Sequence, residues 1–263
     1  MPSARELLAF YLEAGVDCAL SETPVNRLSE EAAVEEKPAA RPALFRTANP
    51  APAPVLADPA PAPDAAITSA REIAPRAASL QELRALLERF DGCALKSTAT
   101  RLVFADGNPE AKIMFVGEAP GRDEDLEGLP FVGRSGKLLD LMMASIGLDR
   151  SKAYIANIIP WRPPGNRDPS PQETQICLPF IRRQIELVNP DVLVCLGKPS
   201  SQAVLDLKDG IMKTRGKWFD YDPGTRKIKA MATFHPAYLL RQPIYKRLTW
   251  QDLRAVQKAL AAG

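Results

Sequence analysis

The chain has 263 residues, long enough for one sizeable domain with a buried core plus extensions, and its 25 prolines signal a linker. No apolar run approaches the ~18 residues of a membrane helix and no signal-peptide pattern opens the chain, so no membrane partner and a cytoplasmic location are expected. The net charge of +2 hides an asymmetry, because residues 1–36 hold two basic and eight acidic side chains while residues 208–263 hold twelve basic and four acidic ones. A basic C-terminal third suits a polyanionic partner, and charge alone fits a solvated basic surface at least as well.

Residues 1–36 form a first region. Leu7, Leu8, Phe10, Tyr11 and Ala14 recur there at helical spacing, which predicts one amphipathic helix able to dock on the main domain or on a protein partner. Residues 37–78 follow as a Pro/Ala-rich linker, with eight prolines between Pro38 and Pro63. Such a composition forms no packed core and predicts an extended, disordered tether. The folded domain is expected over residues 79–263.

Four short apolar runs in that domain read as buried parallel strands, namely Ile113–Val116, Ala153–Ala156, Val192–Leu196 and Ala230–Phe234. Helical patterns alternate with them over Gly136–Ile146, Pro199–Leu207 and Tyr245–Leu260. Another begins at the capping box Ser170-Pro171-Gln172-Glu173 and reaches Val188. A β-ribbon of Lys217–Tyr221 and Lys227–Ala230 is expected before the last strand. The alternation predicts an α/β fold: a three-layer α/β/α sandwich on a mostly parallel four-stranded sheet, with an N-terminal helix on a Pro/Ala-rich linker.

Ligands of such sheets bind outside the carboxyl ends of the strands. The predicted ends are Gly117-Glu118-Ala119-Pro120-Gly121, Asn157, Gly197-Lys198-Pro199-Ser200-Ser201, and His235-Pro236. A carboxylate, an amide and the only histidine of the chain therefore face one crevice. With those ends in view, the chain resembles the uracil-DNA glycosylase superfamily, closest to its family 4 type. The residues that carry the resemblance are the first strand end with Glu124-Asp125, Pro130-Phe131-Val132-Gly133-Arg134-Ser135-Gly136, Asn157, Arg162-Pro163-Pro164-Gly165-Asn166-Arg167, Leu196-Gly197 and the His235 loop. They span about Cys93 to Leu240 in the family's order and spacing.

The resemblance implies a DNA repair enzyme that flips uracil out of DNA and hydrolyses its N-glycosidic bond, leaving an abasic site. Glu118 and His235 are then the catalytic pair, and Gly117, Ala119, Phe131 and Asn157 contact the base. His235 would donate to uracil O2 as negative charge develops, and Glu118 would position water or stabilise the sugar cation. Ala119 stands where well-known relatives carry a water-activating aspartate, and Glu124 and Asp125 are alternative carboxylates. Gly121 occupies the place where stricter relatives exclude thymine's methyl. Ser135, Ser200, Ser201, Leu239, Leu240 and Arg241 are expected at the DNA, with phosphate contacts from the serines and a wedge from the leucines and arginine.

Each assignment has a plainer counterpart: helix capping for the serines, helix-start packing for either leucine, core packing for Phe131 and turn capping for Asn157. A lesion-binding protein with weak or no glycosylase activity is the alternative function. A covalent trap through a histidine after Asn157 is rejected, because Trp161–Pro169 contains none. The expected partner is DNA containing uracil, bound by a monomer.

Family 4 enzymes hold an iron–sulfur cluster on four cysteines. Here Cys93 and Cys177 fall on two of those positions, and Phe90 and Trp161 stand at the other two. A four-iron cluster wants four thiolates, so no cofactor is expected and apolar packing replaces the metal. A 4Fe-4S cluster that recruits Cys18 or Cys195 is the minority alternative.

Overall fold

The computed structural model describes residues 63–262 apart from Thr225. The expected N-terminal helix and most of the expected linker lie outside those residues. The chain enters with helices α1 (Pro63–Ile73), α2 (Leu80–Arg89) and α3 (Leu95–Thr98), followed by β1 (Asp106–Gly107) and β2 (Ile113–Gly117). Next come α4 (Arg122–Glu127), α5 (Arg134–Ala144), β3 (Tyr154–Asn157), α6 (Pro171–Val188) and β4 (Val192–Leu196). It closes with α7 (Lys198–Leu205), α8 (Ile211–Thr214), β5 (Trp218–Tyr221), β6 (Ile228–Thr233), α9 (Pro236–Arg241) and α10 (Lys246–Ala261).

The sheet has six strands in the order β1-β3-β2-β4-β6-β5. Its four central strands are parallel, and β1 and β5 pair antiparallel at the two edges. The expected four strands are thus the centre of a wider sheet. The expected ribbon is present, with Trp218–Tyr221 pairing antiparallel to Ile228–Met231, but its second strand is not separate and runs without a break into the last parallel strand as β6.

Strand periodicity sorts the core into two layers. Met114, Val116, Leu193 and Cys195 point to the face covered by α1, α2 and α6, while Ile113, Phe115, Val192, Val194 and Leu196 point to the face covered by α5, α9 and α10. Both faces are covered, so β2 and β4 are buried at every position. The three-layer α/β/α sandwich is the observed fold.

One boundary differs. Residues 63–78, expected as linker, hold α1 and a following short turn of helix. Ala66, Ala70, Ala74 and Ala77 are buried against the core, and Arg183 of α6 donates from Nε and Nη2 to the Ala77 carbonyl at 3.0 and 2.7 Å. Composition missed the element because alanine signals a linker beside proline yet is the best helix former once proline stops.

Candidate active site

The carboxyl ends of the parallel strands open into a pocket of about 360 Å³. Glu118 and Ala119 enter it from the end of β2, Asn157 from β3, and His235, Ala237 and Arg241 from the turn after β6 and from α9. Phe131 and Ser135 come from the loop before α5 and its first turn, and Asn166, Arg167 and Asp168 from the loop after β3.

His235 is the residue before α9, with Pro236 in the first helical position. Its Nδ1 accepts the Ala237 N–H at 3.1 Å. Burial, helped by the nearby Arg241 cation, pushes its pKa down to about 4. The ring is therefore neutral at neutral pH, and because Nδ1 is an acceptor, the single ring proton sits on Nε2. His235 presents one neutral donor to the pocket.

Asn157 is buried, and its Oδ1 is the one buried side-chain nitrogen or oxygen among the described residues without a hydrogen-bond partner. An unmade bond at such a depth costs roughly 1–3 kcal/mol, which a ligand N–H would recover. Gly117 makes the arrangement possible. A Cβ there would stand 2.4 Å from Asn157 Oδ1 and 2.6 Å from Phe131 Cζ, so any side chain would displace one of them. The Phe131 ring lies 5.5 Å from the His235 ring at 32°. An aromatic face, an open amide and an imidazole N–H thus surround one small volume.

Two carboxylates of the pocket make no side-chain hydrogen bond or ion pair among the described residues, the exposed Asp168 and the half-buried Glu118. Burial, then the like charge of Asp168, push Glu118 up to about 7. The two alternative carboxylates are engaged elsewhere. Glu124 accepts the N–H groups of Gly121, Val132 and Gly133, and Asp125 accepts those of Thr100 and Arg101 and the Thr100 hydroxyl. Both are loop clamps.

The expected DNA contacts divide. Ser135 and Arg241 line the pocket, and Leu240 is half-buried in α9 without lining it. Ser200 and Ser201 do not reach the surface. They are fully buried, and their hydroxyls donate to the Leu196, Gly197 and Lys198 carbonyls. Leu239 is 1% exposed within the α5–α10 layer and cannot serve as a wedge. A helix turn that follows His235 directs one of two adjacent leucines inward, and the side that wins depends on the packing of the whole layer. Asp168 was not singled out from the sequence, although it directly follows the Arg162–Arg167 motif.

A profile of the Uracil DNA glycosylase superfamily matches residues 104–254, more than half of the chain and all six strands of the sheet. The chain belongs to the uracil-DNA glycosylase superfamily. It is 47% identical over 168 residues to the type-4 uracil-DNA glycosylase of Archaeoglobus fulgidus, covering 62% of this chain and 84% of that relative. With the type-4 enzyme of Thermotoga maritima it shares 42% over 156 residues, 59% of this chain and 80% of the relative. With that of Saccharolobus solfataricus it shares 39% over 175 residues, 65% and 81% respectively.

The four-thiolate cluster implied by the type-4 resemblance does not fit the residues present. Phe90, Cys93, Trp161 and Cys177 are all buried in the α1–α2–α6 layer, and only two of them carry a donor for iron. The Cys93 and Cys177 sulfurs are 4.0 Å apart, and the Phe90 ring packs edge-on to Phe180 at 5.0 Å. Contact with Cys93, together with burial, pushes the Cys177 thiol up. Cys195 lies inside β4, where burial pushes its thiol up as well. Cys18 lies outside the described residues.

Proposed function

We propose that this protein removes uracil from DNA by the residues of the strand-end pocket. The reaction adds water across the C1′–N1 bond of deoxyuridine, releasing uracil and leaving a hydroxyl on the abasic sugar. The carrying observation is the buried Asn157 carbonyl oxygen without a partner, set beside an imidazole whose proton is on Nε2.

In this reading the Asn157 amide accepts from uracil N3–H through Oδ1 and donates to O4, a pattern that cytosine reverses. Phe131 stacks on the flipped base, with Gly117 and Ala119 giving it room. As the C1′–N1 bond lengthens, negative charge gathers on the pyrimidine, and His235 Nε2–H meets it at O2. A neutral donor suits this task because it gains strength only as the anion forms. Glu118, once ionised, faces the positive charge on the sugar and orients the attacking water. Ser135, Leu240 and Arg241 contact the DNA strand at the pocket mouth. One chain supplies every one of these groups, which supports a monomeric enzyme.

We further propose that the protein works without an iron–sulfur cluster, the volume between Cys93 and Cys177 being closed by Phe90 and Trp161. The purified protein is then colourless, and a broad visible band with stoichiometric iron overturns this part.

A single-turnover assay on a uracil-containing oligonucleotide tests the main reading. Free uracil and an alkali-labile abasic strand are expected, with Glu118→Gln strongly slowed. Binding without base release, unchanged by Glu118→Gln, would turn the assignment towards a lesion binder.

A further inference from the structure

Phe131 holds its ring over the pocket in a backbone conformation it would not choose. Its φ is +56°, in the left-handed region that favours glycine. Something must hold it there, and two groups of opposite charge do so, the buried Glu124 and the half-buried Arg150. The Glu124 carboxylate accepts the N–H groups of Val132 and Gly133, both at 3.0 Å. On the other side Arg150 Nη1 donates to the Pro130 carbonyl at 3.2 Å, and Nη2 donates to the Phe131 carbonyl. Gly136 completes the seat, because a Cβ there would overlap the Phe131 carbonyl that Arg150 captures.

Arg150 is itself fixed. It sits in a turn of helix just before β3. Nη1 pairs with Asp106 of β1 at 2.5 Å, and Nε pairs with Asp140 of α5 at 2.9 Å. The two-residue β1, whose only sheet partner is β3, delivers one of these carboxylates. The planar fork of an arginine can satisfy two carboxylates and two carbonyls together, and a lysine ammonium cannot.

We propose that Arg150 is a positioning residue for the reaction, acting only through Phe131 by holding the 130–133 loop in its left-handed turn. This rests on the reading of Phe131 as the surface on which the flipped base stacks. Arg150 touches neither the base nor the strand, so its effect should follow the base and vanish when the Phe131 ring is gone.

The test is a double-mutant cycle of Arg150→Lys and Phe131→Ala. Two quantities are read: single-turnover uracil excision, and the preference for a duplex bearing non-hydrolysable 2′-fluoro-deoxyuridine over one bearing a tetrahydrofuran abasic analogue. Misplacing a stacking group by about 1 Å costs up to ~100-fold, so Arg150→Lys is expected to slow excision roughly 10- to 100-fold. It should reduce the preference for the base, leave affinity for the abasic duplex unchanged, and add nothing in the Phe131→Ala background. An effect that multiplies onto Phe131→Ala, or equal loss of abasic binding, overturns the proposal. Should Arg150→Lys melt below the assay temperature, Asp140→Asn removes one anchor of the guanidinium and must show the same dependence on Phe131. A wild-type protein that prefers the base yet never releases it refutes the glycosylase reading while the cycle still decides the clamp.

Discussion

Two corners of this molecule meet in the loop that follows β3. Asn157 ends β3 just before that loop and faces the pocket, and Trp161, four residues on, is buried in the core layer that also holds Cys93 and Cys177. The Trp161 corner holds buried apolar side chains and two thiols in contact. In the pocket the chain has left an amide oxygen without a partner, a carboxylate raised towards neutrality and an aromatic residue in a left-handed turn. One loop thus joins a packed corner to an open one. The difference shows what a binding site costs, since its polar groups stay open until a ligand completes them.

The largest effect expected from breaking this contrast is on the packed side. Trp161→Ala should destabilise the fold by roughly 3–5 kcal/mol, read by denaturant unfolding, because no side chain can refill so buried a volume. Excision per folded molecule should change much less. His235→Ala reverses the pattern, with a loss of about 10²–10³ in single-turnover rate at nearly constant melting temperature. If the melting temperature collapses instead, the His235 side chain belongs to the packed class.

The smallest effect sharpens the pocket itself. Glu118 is held at about 7 by burial and by Asp168, and in the proposed mechanism its charged form faces the sugar cation, so the excision rate should rise with pH through about 7. His235 stays neutral over that window, because its own pKa is about 4. Removing the like charge with Asp168→Asn lowers the Glu118 value, and the midpoint of the profile should move to lower pH while staying above the ordinary carboxylate range. A midpoint that does not move would show that burial alone sets it. Glu118→Gln should flatten the profile altogether.

Much of the fold was legible because its signals are local. Buried parallel strands are continuous apolar runs, and β4 spans the predicted Val192–Leu196. The capping box at Ser170 starts α6, with Glu173 and Ser170 bonding reciprocally at 2.7 and 3.1 Å. Edge strands carry weaker signals, and β1, only two residues long, carried none. The gathering of Glu118, Asn157 and His235 was readable as well, since parallel strands bring their carboxyl ends to one side.

Which of two neighbouring side chains faces inward was not readable. Leu239 entered the core while Arg241 stayed at the pocket, and Ser200 and Ser201 turned to backbone carbonyls. Arg150 gave no sequence signal either, because its partners lie at positions 106, 130, 131 and 140. By itself the sequence determined the type and order of the central strands and helices and the chemical groups at the strand ends, because each depends on side-chain type and short-range spacing. Only the tertiary structure decided which carboxylates stay free, which serines are buried and what holds Phe131 in its turn. Those outcomes depend on burial and on hydrogen bonds between segments far apart in the chain, and local pattern carries no record of them.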